Sequence, residues 1–187
     1  MTDSQEILAA LIGTNGTGKS TQIALMVSAY VKKGGRALIV TPDDSEWRQI
    51  PELDITNTKE LTTFKGTRRT IFFDEETFPN IIEHYRNGML VFDDARFYVG
   101  LSIPQGLLKL LIRRRQYHLN TVFVAHGFTD LPKKLFTYVS HIILFETKDN
   151  MNDRKNSMRD FPKMEAAKRR IDAKARTQKH YCEIIKQ

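Results

Sequence analysis

Residues 7–21 read Ile-Leu-Ala-Ala-Leu-Ile-Gly-Thr-Asn-Gly-Thr-Gly-Lys-Ser-Thr. An apolar run, Ile7 to Ile12, passes directly into Gly13-Thr14-Asn15-Gly16-Thr17-Gly18-Lys19-Ser20, a complete G-x-x-x-x-G-K-[ST] phosphate-binding loop. The glycines let the backbone curl until successive N–H groups point inward at phosphate oxygens. Lys19 supplies a point charge for the outer phosphates, and the Ser20 hydroxyl suits Mg²⁺. From Thr21 the apolar residues Ile23, Ala24, Met26, Val27, Tyr30 and Val31 recur at helical spacing. The helix N-terminus, with its partial positive charge, therefore faces the anion. Strand, loop and helix in this order predict a nucleoside triphosphate site built from Gly13 to Thr21.

The 187 residues suffice for one domain with a core of its own. A single cysteine, Cys182, excludes an internal disulfide framework and fits a reducing, cytoplasmic setting. The N-terminus is polar and no apolar run approaches a membrane span. The net charge of +7 suits a polyanionic partner. It is unevenly spread, because Glu146 to Gln187 holds twelve Lys/Arg against seven Asp/Glu, which is +5.

Outward from the loop, Lys32-Lys33-Gly34-Gly35 is a helix stop, and Arg36 to Thr41 reads as a buried strand. Pro42 to Ser45 is a polar turn leading to Trp47, with a short helix starting there as one reading. Residues 51–69 read as an exposed loop or an edge hairpin. Two apolar strands then end in acid. Thr70 to Phe73 precedes Asp74-Glu75, and Met89 to Phe92 precedes Asp93-Asp94. The second is the better metal-binding strand, since it follows a helical stretch (Thr77 to Asn87) and leaves room for a crossover. The first is then a peripheral strand with Asp74 capping the next helix. On this choice Asp93 shares Mg²⁺ with Ser20, and Asp94 orients or polarises the attacking water.

Ser102-Ile103-Pro104 opens a helix with an apolar face of Leu107, Leu108, Leu111 and Ile112, followed by Arg113, Arg114 and Arg115. These arginines are either a solvated basic face or the source of a phosphate contact. The argument for contact places the helix end on the nucleotide's rim of the sheet. Thr121 to Ala125 is a buried strand ending at His126, a candidate sensor of the γ-phosphate that would report to the Thr129–Lys134 loop; a turn-capping histidine is the alternative. A short helix over Leu131–Tyr138 leads to the strand His141–Phe145. The stretch from Pro162 to Ile185 reads as a charged helix, touching nucleic acid or solvated.

Assembled, these residues resemble the FtsK/HerA-type branch of P-loop ATPases, and within it the compact genome-packaging ATPases of viruses and phages. The resemblance rests on the loop Gly13 to Ser20 (Walker A), the acidic pair Asp93-Asp94 (Walker B), the arginine-bearing helix, and the sensor strand followed by Thr129-Asp130-Leu131-Pro132. Many members carry Asp-Glu where this chain has Asp93-Asp94, and Gln where it has His126. The resemblance implies a RecA-like α/β fold with a central, mainly parallel sheet flanked by helices. The likeness spans roughly Ile7 to Thr147, which sets an ATPase core over residues 1–147; the basic extension over 148–187, read as helical from its own residues, lies outside it. The implied ligands are ATP and Mg²⁺. The implied partners are double-stranded DNA, further copies forming a ring, and a capsid or portal-like docking protein. One of Arg113, Arg114 and Arg115 would then act on a neighbour's nucleotide. The location implied is the host cytoplasm or the virion. Two other functions share the loop: a small-molecule phosphotransferase, and a membrane-associated assembly or secretion ATPase of the zonula-occludens-toxin kind. A non-enzymatic nucleotide switch leaves Asp93, Asp94 and His126 without a task.

Overall fold

The computed structural model describes residues 6–43, 45–71 and 77–187. Seven strands form one sheet in the order β3-β2-β4-β5-β1-β6-β7. They are β1 (Leu8–Ile12), β2 (Arg36–Thr41), β3 (Gly66–Ile71), β4 (Gly88–Phe92), β5 (Leu119–Ala125), β6 (His141–Leu144) and β7 (Glu183–Lys186). The first six pair in parallel, and β7 runs antiparallel to β6. This is the mainly parallel α/β sheet expected from the apolar strand runs.

Side-chain alternation along each strand feeds two cores. Leu8, Ala10 and Ile12 of β1 face a large core that also contains Leu107 and Leu111 of α4 (Gln105–Arg113) and Met164 and Ile171 of α6 (Phe161–Lys174). Ala9 and Leu11 face a smaller one, covered by Ile23 and Val27 of α1 (Lys19–Lys32) together with Trp47. Helices therefore cover both faces, and the strands are buried on both sides, so β1 carries no polar residue.

Several local expectations need correction. Residues 51–69 are neither a loop nor a hairpin. They hold α2 (Thr58–Thr63), capped by Asn57 Oδ1 accepting from Glu60 N–H, and most of β3, which pairs in parallel with β2 at the sheet edge. The Thr- and Arg-rich text hides a strand because an edge strand needs little apolar surface. Trp47 lies in no helix; it has φ 60°. The C-terminal helix ends at Lys174, and the chain then turns back to form β7. The sheet thus runs past residue 147, and Ile185 is buried in the core with α6.

The remaining helices, α3 (Thr77–His84) and α5 (Lys133–Phe136), pack Phe78, Ile81, Leu135 and Phe136 into the large core. Among the described residues no helix is long and apolar enough to cross a membrane. Asp74 lies outside the described residues.

Candidate active site

The loop between β1 and α1 is fixed from both neighbouring strands. Gly13 N–H donates to Ala125 O of β5 at 3.1 Å, and Thr14 N–H to Glu146 O beyond β6 at 2.9 Å. Gly13 must be glycine, because a Cβ there would lie 2.5 Å from the Phe145 Cβ. Gly16 (φ 77°) and Gly18 (φ 99°) take the left-handed turns that open the loop, and Gly18 is the N-cap of α1. A cavity of about 650 Å³ opens over the loop. Its far wall comes from the carboxyl ends of β2, β4 and β5, where an open α/β sheet gathers ligands.

Lys19 is buried, and its Nζ donates to Gly13 O (2.7 Å) and Thr14 O (3.0 Å). Burial lowers its pKa, opposed by the charges of Asp93, Asp94, Glu46 and Asp130. The same Nζ lies 3.4 Å from His126 Nδ1, and His126 Nε2 lies 3.4 Å from Asp94 Oδ2. Lys19, His126 and Asp94 thus form one line across the cavity, at the outer limit of hydrogen bonding. Asp94 is held in the left-handed region (φ 54°) and is chelated by Arg96, with Nε to Oδ1 at 2.9 Å and Nη2 to Oδ2 at 2.7 Å. Burial raises the Asp94 pKa, but the bonds and charges of Arg96 and His126 outweigh it and hold the carboxyl below its ordinary value.

Asp93 is buried and accepts the Trp47 indole N–H at 2.7 Å on Oδ2. Ser20 lines the same cavity. Mg²⁺ takes oxygen ligands and keeps several waters, so one carboxylate and one hydroxyl beside a phosphate chain suit it. A full protein cage is not needed, and no cluster of three or more His, Cys, Asp or Glu able to hold a metal occurs among the described residues.

The His126 loop is tied down by the Thr129-Asp130-Leu131-Pro132 stretch. Asp130 Oδ2 accepts from the amides of His126 (2.9 Å) and Gly127 (3.0 Å). Asp149 Oδ2 in turn accepts from Thr129 N–H and Oγ1. A Cβ on Gly127 would lie 2.4 Å from that oxygen, so the close approach requires glycine.

The structure therefore brings Gly16, Gly18, Lys19, Ser20, Thr21, Asp93, Asp94 and His126 around one cavity, with Asn15 at its edge. It does not bring Arg113, Arg114 or Arg115 there. The crossover from β4 to β5 carries the end of α4 to the amino edge of β5, where Leu119 N–H donates to Arg114 O. His126 stands at the other end of that strand, roughly 20 Å away at about 3.3 Å per residue. The expectation that the arginines share the nucleotide's rim is thus corrected. A helix that returns a chain between parallel strands must end on the opposite rim from the loop. Arg114 is buried against its own helix, with Nη1 donating to Leu111 O at 2.9 Å. Arg113 and Arg115 are exposed.

Four site residues escaped the sequence reading. Arg96 and Phe97 follow the acidic pair and line the cavity, as do Glu46 and His180. The Glu46 pKa is raised to about 7, first by burial, then by its hydrogen bond to Asp93 and the charge of Asp93. Arg96 was detectable as the nearest cation to the acidic pair. Glu46 and His180 carry no such signal, because only the fold brings them to the loop.

Fold and site together define an α/β fold of RecA-like architecture carrying a complete phosphate-binding loop. The structures it matches include viral ones. Genome-packaging NTPase B204 from Sulfolobus turreted icosahedral virus 2, in complex with AMP, superposes with a TM-score of 0.75 at 13% identity. The match covers 97% of this chain and 92% of that one. B204 from Sulfolobus turreted icosahedral virus, described as the DNA-packaging ATPase, gives 0.70 at 13% identity over 96% and 92%. EssC (ATPases 2 and 3) from Geobacillus thermodenitrificans gives 0.52 at 11% identity, over 82% of this chain and 34% of EssC. No protein-family model and no curated protein sequence matches the chain. At these identities the likeness is one of fold.

Proposed function

We propose that this chain is an ATP-hydrolysing motor of the viral genome-packaging kind, acting on double-stranded DNA as a ring of identical subunits. The observation that carries the reading is the Lys19–His126–Asp94 line across the cavity above the phosphate loop. It sets the phosphate cation, a polar sensor and a carboxylate against one another where a γ-phosphate would lie. The nearly complete overlap with B204, a packaging NTPase solved with AMP and with AMPPCP, supports the same reading.

In this account Gly13 to Thr21 wrap the phosphates with backbone N–H groups, and Lys19 leaves the Gly13 and Thr14 carbonyls to neutralise the outer phosphates. Ser20 and Asp93 hold Mg²⁺, with the Trp47 indole fixing the orientation of Asp93. Bound there, Mg²⁺ supplies positive charge against the phosphate oxygens. Asp94 accepts the proton of the attacking water once Arg96 releases it, and Arg96 is then free to meet charge on the transferred group. His126 senses the γ-phosphate and passes its state through the Asp130-tied loop. Arg113 and Arg115, remote from this chain's own cavity, act on the nucleotide of a neighbouring copy. A capsid or portal-like protein is the docking partner, in the host cytoplasm or on the virion.

The test is phosphate release from Mg-ATP with and without double-stranded DNA, beside a mass measurement in ATP. The reading expects acceptor-free hydrolysis, stimulation by DNA and a mass of several subunits. Turnover that requires a small-molecule acceptor would replace it with a phosphotransferase.

A further inference from the structure

The chain between α6 and β7 returns to the phosphate loop, and its closest approach is His180. A Cβ built on Gly18 would lie 2.8 Å from His180 Nδ1 and 2.9 Å from both its Cβ and Cγ, so the imidazole sits directly on the loop backbone. His180 has φ 69°, in the left-handed region that non-glycine residues occupy uncommonly. The turn is pinned on both sides. Tyr181 OH accepts from Lys174 Nζ (3.1 Å) and donates to Glu183 Oε1 (3.1 Å), and Arg170 chelates Glu183.

A second cavity, of about 150 Å³, lies on this side of the loop, between Thr14–Thr17 and the Ala175–Tyr181 segment. It shares Asn15, Gly16 and His180 with the large cavity. His180 therefore borders both cavities, beside the loop backbone. The carboxylates Asp93 and Asp94, with His126, mark the γ-phosphate end on the β4–β5 side. The small cavity, between the loop and the returning tail, is lined by other residues and is open to the nucleoside end of a bound nucleotide.

We propose that His180 is a nucleoside-binding residue, its imidazole stacking on the base of a nucleoside triphosphate whose phosphates occupy the loop. This rests on the nucleotide reading above and adds the wall that holds the base. The C-terminal tail, which sequence reading assigned to nucleic acid or solvent, then serves the nucleotide. An imidazole face packs against a base ring as aromatic side chains generally do, and without strong choice among bases.

The test compares Mg-ATP with inorganic tripolyphosphate in Mg²⁺ on the full chain, by calorimetry. The two ligands share the triphosphate chain but differ in the nucleoside and in one terminal ionisable oxygen, so the change in their affinity ratio between wild type and variant isolates what His180 does for the nucleoside. Wild type should prefer ATP. His180→Ala should shrink that preference by about fivefold or more, the loss expected for one stacked base, with tripolyphosphate affinity unchanged. His180→Phe, which keeps a flat ring, should retain the preference and shows that the turn still folds. An unchanged ratio in His180→Ala, or an equal loss for both ligands, would overturn the proposal. Should wild-type protein bind neither ligand, the phosphate-loop reading itself fails. Tripolyphosphate binding by wild type without any preference for ATP defeats the base wall alone.

Discussion

Arg96 and Asp94 form a two-point ion pair across the mouth of the nucleotide cavity, with both carboxylate oxygens engaged at 2.9 and 2.7 Å. In the proposed mechanism the carboxylate that takes a proton from water is thus paired with a cation that would otherwise meet charge on the transferred group. Breaking the pair on nucleotide binding would free both at once. Asp94→Asn should leave ATP affinity near wild type and lower turnover by about 10²–10⁴, the range for a lost general base. Arg96→Ala should also bind ATP and turn over slowly. The two variants should be less than multiplicative when combined, since each lacks the same pair. Steady-state hydrolysis with a separate binding titration checks this. Full multiplicativity would show that the residues act independently.

Trp47 is the chain's one tryptophan and bonds Asp93 through its indole N–H. Its fluorescence should therefore shift when Mg-ATP binds, and the shift should vanish in Asp93→Ala. Trp47→Phe leaves a buried Asp93 oxygen without its donor and should destabilise the fold by about 1–3 kcal/mol. Chemical denaturation with and without Mg-ATP measures both effects.

The Arg170–Glu183 pair ties α6 to the last strand. The hydrogen bond from Arg170 is the main cause holding the Glu183 carboxyl below its ordinary value of 4.5, with Tyr181 adding to it and burial opposing. A carboxylate held low in the folded state contributes stability that is fully present above 4.5 and is lost as pH falls through the folded value. Wild type should thus be more stable than Arg170→Ala at pH 7, and the gap should narrow as pH falls below 4.5 and through the folded value. Its size should stay below that of Ile185→Ala, which empties a buried site at a cost of about 2–5 kcal/mol. Thermal melts at pH 7 and pH 3.5 decide it.

Arg113 and Arg115 test the ring. If either reaches a neighbour's nucleotide, its Ala variant should bind ATP yet hydrolyse it ~10³-fold or more slowly. Mixing it with Lys19→Ala should restore activity at junctions that pair an intact loop with an intact arginine. Arg114→Ala should instead lose about 1 kcal/mol of stability with its hydrogen bond to Leu111. Co-assembly without recovery at any mixing ratio would end the trans reading for this helix.

The loop, the buried strand that ends at Asp93-Asp94 and the position of His126 were legible in the sequence, because each is a local pattern: glycines at fixed spacing, or an apolar run ending in polar residues. Asp130 was legible as a motif but not as a clamp on two amides. The misreadings have separate physical causes. The β3 strand is an edge strand with little apolar text, and β7 is four residues long and was absorbed into a helical pattern. The arginine helix was placed by its closeness to the sensor strand in sequence, whereas a parallel crossover sends its end to the far rim. Glu46 and His180 meet the loop only through tertiary folding, and no spacing in the chain announces them.

The most direct test of the central claim is phosphate release from Mg-ATP by the full chain, measured beside Lys19→Ala. Lys19 is the one loop side chain carrying positive charge, and it lies buried in line with His126 and Asp94. The account predicts steady hydrolysis by wild type and a loss of about 10²-fold or more in the variant, with weakened nucleotide binding. Equal turnover by the two proteins would contradict it and move the active site elsewhere.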